Sequence, residues 1–431
     1  MVPAFTSPAA VALSIAHVAL AAAVTGHALA YKRDPGSAVA WIGLAWLSPV
    51  VGSVLYALLG INRVQRRARA LRGPPAVQRT LVEAPEVSVH SDLAALEVAG
   101  RHISGRRVTG GNAITTLCNG DDAYPRMVAA IDNASTSVAL SSYIFRGDGI
   151  GREFIAALTR AHRRGVLVRV LIDGYGGGYV RSDAYRLLRR ERVPAARFLH
   201  SAMPWRMPFL NLRNHRKLLV ADGAIGFVGG LNIGNENLLV SKPPTPVHDT
   251  HFQFAGPVVS QFCSTFAEQW SFATGETLSG DAWFPPQTPA GASIARAVTS
   301  GPDQDLEKIE LLVLAAIGEA QRSVRIMTPY FLPDDRVITA LTLAAMRGVL
   351  VDIVVPEHSN HPTVDWAMRA HVSPLLRAGC RLWLQGPPFN HSKLLAVDEH
   401  WCLVGSANWD TRSFTLNFEI NAEVYCSDTS H

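Results

Sequence analysis

Two long uncharged stretches dominate the first sixty residues. The first runs from Ala9 to Ala30, and the second from Ser37 to Leu59, with charged residues between them at Lys32–Asp34. A helix as long as the second stretch spans about 35 Å at roughly 1.5 Å per residue, which is enough to cross a bilayer core of roughly 30 Å. We therefore predict a hairpin of two transmembrane helices with its turn at Asp34-Pro35-Gly36.

A cleavable signal peptide is the alternative for the first stretch, because Ala28-Leu29-Ala30 resembles a cleavage site. The stretch lacks a basic start and another apolar run follows at once, which favours the hairpin. A cluster of arginines follows the second run, and the positive-inside rule assigns such a cluster to the cytoplasm. We thus expect a multi-pass protein of the cell membrane with a cytoplasmic N-terminus and a cytoplasmic main body. The cluster comprises Arg63, Arg66, Arg67, Arg69 and Arg72.

Beyond these stretches the hydrophobic pattern occurs twice. Arg164–Ile172 reads RGVLVRVLI and Arg347–Val355 reads RGVLVDIVV. A stretch with helical spacing precedes each run, and a strand-like run precedes each helix, at Ser137–Phe145 and Ser323–Phe331. The order strand, helix, strand in both halves predicts an α/β fold with a parallel or mixed sheet. The helical positions are Phe154, Ile155 and Leu158 in the first half and Val337, Ile338 and Leu341 in the second.

The repeat predicts two α/β lobes related by a pseudo-twofold axis, with equivalent edges facing a shared cleft. The segment Phe284–Gly291, FPPQTPAG, is typical of a linker between them. The predicted boundaries are 1–72 for the membrane hairpin with its basic flank, 73–117 for a linker and lead-in, 118–283 for the first lobe, 284–300 for the linker between lobes, and 301–431 for the second lobe.

Composition narrows the partners only slightly. Lysine and arginine outnumber aspartate and glutamate by 40 to 35, which fits an anionic partner such as a lipid surface, a phosphate or nucleic acid. The apolar fraction of 48% is consistent with a membrane segment. The five cysteines include no C-x-x-C pair, which argues against a zinc site or a disulfide framework.

Each half also carries the motif H-x-K-x4-D. Asn214–Asp222 reads NHRKLLVAD and Asn390–Asp398 reads NHSKLLAVD, at an offset of 176 residues (391 minus 215). The same offset relates GGLN at 229–232 to GSAN at 405–408. One such motif arises by chance, whereas two at a single offset are a strong signal. The candidate residues from these motifs are His215, Lys217, Asp222, Asn232, His391, Lys393, Asp398, Ser406 and Asn408.

The motif suits the chemistry of a phosphodiester. A histidine and a lysine two positions apart on a strand point to the same face, so a cleft between the halves would hold two imidazoles, two ammoniums and two amides. The ammoniums and amides can stabilise the extra charge of a five-coordinate phosphorus. One imidazole can attack phosphorus while the other protonates the leaving alcohol. Because the lysines supply the positive charge, we expect no metal and no cofactor.

This pattern resembles the signature of the phospholipase D superfamily, a duplicated H-x-K-x4-D followed by G-[SG]-x-N. The resemblance implies catalytic roles for the motif residues, with the two motif aspartates bracing the site rather than touching substrate. It also implies an acidic residue behind each histidine, which fixes the ring's tautomer. From their positions in the chain we assign Glu419 to His391 and Asp249 to His215.

Nearly the whole chain resembles the bacterial cardiolipin synthases of that superfamily, from the two N-terminal spans to the bilobal body. The resemblance implies that two phosphatidylglycerols are joined with release of glycerol, that the partners are phosphatidylglycerol and anionic membrane lipid, and that nucleic acid is not a partner. Either histidine meets the geometric requirement for attack, and analogy with relatives favours His215 as the nucleophile and His391 as the acid and base. The stretches that carry the resemblance are Phe209–Lys217, Gly229–Gly234, Thr328–Pro333 and Gly405–Phe418.

The chain departs from that group in three places. Asn232–Asn237 replaces the usual N-I-G-D-E-Y, and Val247–Thr250 replaces the usual W-R-D-T. Both changes fall near the first motif, where they are expected to affect the acceptor. The first half continues into a helix-like stretch, Phe262–Trp270, whereas the second half stops soon after Glu419. The sequence pattern therefore predicts a second lobe without a closing helix.

Three other functions compete with phosphatidyl transfer. A hydrolytic phospholipase D uses the same site with water as the acceptor, and the sequence barely separates the two. A nuclease is disfavoured by the membrane hairpin and by the lack of a basic tract interleaved with aromatic residues. A non-catalytic membrane scaffold is disfavoured by the two intact motifs.

Overall fold

The computed structural model describes residues 8–32, 35–60, 87, 89–200 and 212–426. The chain divides into two compact units, Met1–Ala70 and Leu71–His431. The predicted arginine cluster at 63–72, the Gly73-Pro74-Pro75 linker and the residues just before the first motif, 209–211, lie outside the described residues.

The N-terminal unit contains one helix that is long and apolar enough to cross a membrane, among its described residues. Helix α1, Pro8–Tyr31, has 24 residues. The predicted second span is not one continuous helix. It consists of α2 (Pro35–Leu47), α3 (Pro49–Leu55) and a short π-helix (Tyr56–Gly60). The break falls at Pro49, because proline has no amide hydrogen to continue the hydrogen-bond ladder of the preceding helix. At roughly 1.5 Å per residue, α2 is only about 20 Å long.

Small side chains let the helices of this unit pack closely. Ala28 and Ala45 are fully buried between them, as is common where helices associate in an apolar environment. His27 Nδ1 lies 2.7 Å from the Tyr56 hydroxyl, and Trp46 donates a hydrogen bond to the Thr25 hydroxyl at 3.1 Å. These polar groups therefore find partners inside the unit, as they must where water is scarce.

The second unit is built around one large mixed sheet whose strands alternate with helices, as predicted for an α/β fold. The strands of its first half are β1 (Thr109–Cys118), β2 (Ser137–Ser142), β3 (Leu167–Asp173), β4 (Ala195–Phe198), β5 (Arg213–Asn214), β6 (Leu218–Ala221), β7 (Ile225–Gly229), β8 (Val247–His248) and β9 (Thr250–Ala255). Those of its second half are β10 (Ser293–Ser300), β11 (Ser323–Met327), β12 (Phe331–Leu332), β13 (Leu350–Pro356), β14 (Arg381–Gln385), β15 (Phe389–Asn390), β16 (Leu394–Val397), β17 (Trp401–Gly405), β18 (Trp409–Asp410) and β19 (Asn417–Tyr425).

The order of the strands across the sheet is palindromic. It runs β4-β3-β2-β6-β7-β9-β1 and then β10-β19-β17-β16-β11-β13-β14. Strands β1 and β10 pair antiparallel at the centre, with Thr109 opposite Ala295 and Asn112 opposite Ser293. Each of the seven strands of this order in one half thus has a counterpart at the same place in the other. This arrangement confirms the duplicated α/β architecture and its pseudo-twofold relation.

The helices of this unit cover the sheet. Asp148 and Asp334 cap the two predicted amphipathic helices by accepting backbone hydrogen bonds from Gly151 and Val337 at 3.0 and 3.2 Å, which satisfies amides that have no partner within the helix. The helices are α4 (Ala94–Ser104), α5 (Asn119–Asn133), α6 (Gly149–Arg163), α7 (Asp183–Arg190), α8 (Val258–Thr274), α9 (Lys308–Glu319), α10 (Asp335–Met346), α11 (Pro362–His371), α12 (Ser373–Arg377) and α13 (Thr411–Thr415).

Helix α8 contains the helix-like stretch predicted for the first lobe. It packs across β6, β9 and β10, and the strands beneath it, such as β2 and β6, are buried at every position. In the second lobe, the described residues end at Cys426, one residue after β19. Strands β11 and β16 include exposed or half-buried positions, and Trp383 on β14 is half exposed. The second lobe without a closing helix stays a prediction.

The two motif aspartates hold backbone turns. These turns follow β6 and β16, at the strand ends farther from the motif histidines. The Asp222 carboxylate accepts hydrogen bonds from three successive backbone amides at 2.8–2.9 Å, and the Asp398 carboxylate does the same at 2.7 Å. Both residues have a positive φ, 51° and 52°. The turns fix where β2 and β11 begin, which is a bracing position. The donors are Ser135, Thr136 and Ser137 in the first lobe and Gln321, Arg322 and Ser323 in the second.

Candidate active site

The two motif histidines line one cleft between the lobes. Its volume is about 820 Å³, and its walls include residues from both halves of the chain. The histidines sit just before β6 and β16, so equivalent edges of the two lobes face each other, as the repeat predicts. The lining includes Tyr143, His215, Asn232, Tyr330, His391 and Asn408.

Backbone hydrogen bonds fix each motif to the opposite lobe. The His215 amide donates to the Phe418 carbonyl at 3.0 Å, and the His391 amide donates to the His248 carbonyl at 2.7 Å. These bonds continue two short parallel pairings, β5 with β19 and β8 with β15. Backbone hydrogen bonds therefore join the two halves at each motif histidine and at the residues just before it.

The carboxylate partners of the histidines are the reverse of those assigned from the sequence. Glu419 lies behind His215, with its two oxygens 2.9 and 3.0 Å from Nδ1. Asp249 lies behind His391, with Oδ2 at 2.8 Å from Nδ1. Each histidine thus uses a carboxylate from the other lobe.

The exchange follows from the strand pairings. Phe418 on β19 lies opposite Asn214 on β5, so the next residue, Glu419, comes beside His215. His248 on β8 lies opposite Asn390 on β15, and its neighbour Asp249 is carried to the second motif in the same way. Proximity along the chain suggested pairing within a lobe, but these strands cross between lobes.

The carboxylates determine the tautomer of each ring. A carboxylate can only accept a hydrogen bond, so Nδ1 of each histidine carries the proton and donates it. Nε2 is left with a lone pair. Glu419 is held in turn by the Ser406 hydroxyl, which donates at 2.6 Å, and Asp249 by the Thr250 amide, which donates at 2.8 Å. Ser406 therefore supports Glu419 rather than lining the cleft.

Burial keeps both imidazoles neutral. It lowers the pKa of His215 and of His391 to about 4, and the carboxylate behind each ring opposes this shift without overcoming it. Burial alone would raise the pKa of Glu419, but the neighbouring His215 and Lys217 more than compensate, so its pKa is lowered. At neutral pH the site therefore contains uncharged rings backed by a carboxylate, which is the state required of a nitrogen nucleophile.

The two motif lysines are buried beside the histidines. Burial lowers the pKa of Lys217 to about 7 and that of Lys393 to about 8. The Lys217 ammonium donates to the His215 carbonyl at 2.8 Å, and the Lys393 ammonium donates to the His391 carbonyl. An anion placed near these groups would favour their charged form. The site is thus suited to a ligand that carries its own negative charge.

The motif asparagines complete the lining. The Asn232 side-chain oxygen accepts a hydrogen bond from the Ile144 amide at 3.2 Å, which orients its NH2 group. Asn408 lines the same cleft from the other lobe. The structure therefore brings together the predicted histidines, lysines, asparagines and supporting carboxylates, whereas the two motif aspartates lie away from them.

Sequence reasoning missed several residues around the histidines. The Tyr143 ring lies 4.9 Å from the His215 ring and the Tyr330 ring 6.3 Å from the His391 ring, both edge to face. The two tyrosines are not related by the 176-residue offset, so the repeat gave no signal for them. The Thr250 and Ser392 hydroxyls also form a bond between the lobes at 2.8 Å.

The unusual residues near the first motif have different surroundings. Asn235 accepts a hydrogen bond from the Ile150 amide at 3.0 Å, and Asn237 donates to the Tyr124 hydroxyl at 3.0 Å. Both amides thus hold the loop in which they lie. Val247 pairs with Phe389 and lines the cleft. Of the residues that depart from the usual N-I-G-D-E-Y and W-R-D-T, Asn237 and Val247 line the cleft.

Comparison with known proteins gives one consistent result. The family model described as "Cardiolipin synthase, PLD-like domain" matches residues 127–268 and 313–431, and each segment contains one H-x-K-x4-D motif. Cardiolipin synthase 1 of Bacillus anthracis is 33% identical over 423 residues, covering 93% of this chain and 82% of that protein. The major cardiolipin synthase ClsA of Bacillus subtilis (strain 168) is 32% identical over 411 residues, covering 91% and 85%.

A solved structure shares the fold. The phosphatidylserine synthase of Haemophilus influenzae Rd KW20 superposes with a TM-score of 0.59 at 14% sequence identity. The match covers 77% of this chain and 86% of that one. At this identity the likeness supports the fold alone.

The depressed histidine pKa values predict a loss of stability in acid. Burial lowers the pKa of His251, as of the two motif histidines, to about 4. The unfolded chain takes up these protons near pH 6.5, while the native chain does not until about pH 4. The contribution of these histidines to the free energy of unfolding is therefore fully present above pH 6.5. It is lost as the pH falls towards 4, by about 1.4 kcal/mol for each histidine over each tenfold rise in proton concentration.

The thermal midpoint of the full chain in detergent, measured from pH 7 to pH 4.5, checks this expectation. His251→Asn is the matched variant, since Asn421 stands opposite Gly405 as His251 stands opposite Gly229. We expect the thermal midpoint of His251→Asn to fall less steeply between pH 7 and pH 4.5 than that of the wild type. Parallel curves for the two proteins would contradict the linkage.

Proposed function

Since this chain belongs to the cardiolipin synthase family of phospholipase D-like proteins, we propose that it joins two phosphatidylglycerols into cardiolipin and glycerol through a phosphohistidine. The observation that carries the proposal is the pair of neutral imidazoles in one cleft, each backed by a carboxylate of the other lobe. Two buried ammoniums beside them can balance the charge of a phosphodiester.

In the first step, His215 Nε2 attacks the phosphorus of one phosphatidylglycerol. A bond from nitrogen to phosphorus forms, and the bond from phosphorus to the glycerol oxygen breaks. His391 supplies the proton that the departing glycerol oxygen needs. The bound anion favours this proton on His391, because a nearby negative charge raises the pKa of an imidazole.

In the second step, the phosphatidyl group moves to the other lipid. His391, now neutral, takes the proton from the terminal hydroxyl of a second phosphatidylglycerol. That oxygen bonds to phosphorus as the bond to His215 Nε2 breaks, and His391 again carries the proton that it had in the complex with the bound donor lipid. The sum of the two steps is two phosphatidylglycerols converted into one cardiolipin and one glycerol.

The remaining site residues act on charge and position. We assign Lys217, Lys393, Asn232 and Asn408 to stabilising the five-coordinate phosphorus, because all four are grouped around the two histidines. Glu419 with Ser406, and Asp249 with Thr250, hold the rings and stabilise imidazolium when it forms. Asp222 and Asp398 brace the strands from the far side.

The lipid chemistry fits a membrane anchor. We propose that α1 spans the membrane, that the α2–α3 segment forms the second limb of a hairpin, and that the catalytic body is cytoplasmic, as the basic flank after the hairpin suggests. Both substrates and the product then remain in the bilayer beside the enzyme. Membrane association itself follows from the family and from the apolar length of α1.

The hairpin predicts that its turn faces outward. A cysteine placed at Ser37 should react with a thiol reagent that does not cross membranes, when the reagent is added to intact spheroplasts. A cysteine placed at Ser91, in the body, should react only after lysis. Reaction at Ser91 before lysis would contradict the cytoplasmic body, and protection of both would contradict the two-limbed anchor.

Both histidines should be required for phosphatidyl transfer. Purified full chain in phosphatidylglycerol vesicles should form cardiolipin and glycerol, and His215→Ala or His391→Ala should lower the rate by at least about a thousandfold, since the two rings act as one unit. Thin-layer separation of labelled lipids measures the products. Protein quenched in alkali should retain the lipid phosphorus when His215 is present and lose it in His215→Ala.

Other products would indicate a different reaction at the same site. Phosphatidic acid in place of cardiolipin would indicate hydrolysis with water as the acceptor. If the wild-type protein forms no lipid product although it unfolds in a cooperative thermal transition, and is therefore folded, the synthase function is contradicted.

The crossed carboxylates should affect turnover more than binding. Glu419→Gln and Asp249→Asn remove the charge behind His215 and His391 while keeping the shape, so the rings lose their preferred tautomer and the stabilisation of imidazolium. We expect kcat to fall about 10²- to 10⁴-fold with a much smaller change in KM. Glu399→Gln, at an exposed position on the second lobe, is the matched control. Equal kinetics for Glu419→Gln and the control would contradict the role assigned to Glu419.

A further inference from the structure

The cleft has two ends that the repeat makes equivalent in position but different in charge. The 176-residue offset relates Arg213 to Phe389 and Arg412 to Glu236. All four residues line the cleft. Arg213 and Phe389 each stand just before a motif histidine. Arg412 and Glu236 each follow the motif asparagine of the other lobe, so Arg213 belongs with Arg412 and Phe389 with Glu236. The repeat therefore places two guanidiniums where its other copy places a phenyl ring and a carboxylate.

The surroundings of Arg213 hold its guanidinium in place. Its Cζ lies 3.9 Å from the centre of the Tyr175 ring, and Nη1 donates to the Leu212 carbonyl at 2.9 Å. A hydrogen bond from Arg213 also reaches Tyr143, the tyrosine that packs on His215. A side chain fixed by stacking and hydrogen bonds loses little entropy when it binds an anion.

Arg412 reaches the same end of the cleft from the second lobe. It lies in α13, which Asp410 caps by accepting a hydrogen bond from the Ser413 amide at 2.7 Å. The strand pairing that sets Arg213 opposite Asn417 brings β5 next to the residues that follow α13. Burial lowers the pKa of Arg412, and the positive charge of Arg213 lowers it further. Two cations close together in a partly dry site favour an anion between them.

The carboxylates at this end are engaged by backbone amides. Asp173 accepts hydrogen bonds from the amides of Tyr175, Gly176 and Asn214 at 2.7–2.8 Å, and Asp410 is the cap of α13. Burial raises the pKa of both carboxyl groups, and the hydrogen bonds from these backbone amides oppose that shift.

The opposite end of the cleft is neutralised. Glu236 forms an ion pair with Arg146, whose Nε lies 2.8 Å from a carboxylate oxygen. Phe389 is apolar and pairs with Val247. At this end the repeat therefore places a phenyl ring and a carboxylate bound to an arginine, where the other end has the two guanidiniums of Arg213 and Arg412.

The proposed reaction requires a second anion site, so the next step rests on the proposed function. The lysines and asparagines beside the histidines balance the phosphodiester that reacts. The acceptor phosphatidylglycerol brings another phosphodiester, separated from its attacking hydroxyl by three carbon atoms and one ester oxygen. The product accordingly carries two phosphates, and only one of them lies at the histidines.

We propose that Arg213 and Arg412 form the subsite for the phosphodiester of the acceptor lipid. Guanidinium groups bind phosphate oxygens through paired hydrogen bonds, which fixes orientation as well as charge. The subsite positions the terminal hydroxyl of the acceptor for attack on the phosphatidyl-enzyme. It also gives a glycerophosphate headgroup an advantage over water and free glycerol, which carry no anion.

Two reactions of the same full-length enzyme separate the acceptor from the donor. Exchange of labelled glycerol into phosphatidylglycerol needs the phosphatidyl-enzyme and free glycerol, but no second phosphate. Cardiolipin formation needs the second phosphate as well. In Arg412→Gln and Arg213→Gln, we expect the ratio of cardiolipin formed to glycerol exchanged to fall about tenfold, the loss of one charged hydrogen-bonded contact. Arg412→Lys, which keeps the charge, should lie between wild type and Arg412→Gln.

The matched control is Arg325→Gln, an arginine of the same lobe that lies exposed on β11 and does not line the cleft. We expect its ratio to equal that of the wild type. Equal loss of both reactions in the cleft variants would show that the arginines serve the reacting phosphate, and no change in either would show that they bind no lipid. Both outcomes overturn the subsite. Wild-type enzyme that neither exchanges glycerol nor forms cardiolipin would overturn the proposed function instead.

Discussion

The active site depends on hydrogen bonds that cross between the two lobes. Glu419 of the second lobe orients His215 of the first, and Asp249 of the first orients His391 of the second. The His215 ring and both carboxylates are buried, and the His391 side chain is only 12% exposed. An unpartnered polar group at such a position costs free energy. Neither motif histidine is backed by a carboxylate of its own lobe. A correctly oriented imidazole therefore exists only when the two halves are docked, which makes the site a property of the duplicated fold rather than of either copy.

The proposed reaction requires the cleft to treat two similar lipids differently. A perfect twofold arrangement would offer both lipids identical surroundings, although one must give up its headgroup and the other must keep it. The repeat is close to perfect at the histidines, lysines and asparagines, where the chemistry needs two of each. It is broken at positions 213 and 412, whose counterparts are Phe389 and Glu236. Asymmetry thus lies at the ends of the cleft, while the histidines, lysines and asparagines of the two motifs stay equivalent.

Much of this organisation could be predicted from the sequence. The two motifs, the strands Leu218–Ala221 and Leu394–Val397, and the amphipathic helices α6 and α10 all follow from local patterns that burial enforces. The carboxylate assignment was wrong because the partner of His215 is set by pairing between β5 and β19, two strands far apart in the chain. Tyr143 and Tyr330 were missed because no shared offset connects them. The second apolar stretch is long enough to span, but Pro49 divides it, and composition alone did not reveal the break.

The antiparallel pairing of β1 with β10 has a consequence for motion. Many bilobal enzymes open and close by a hinge between their lobes. Here a single sheet runs through both halves. A hinge rotation of one lobe against the other would have to break the pairing of β1 with β10. The sheet that carries both motifs therefore resists the movement that would separate the two histidines.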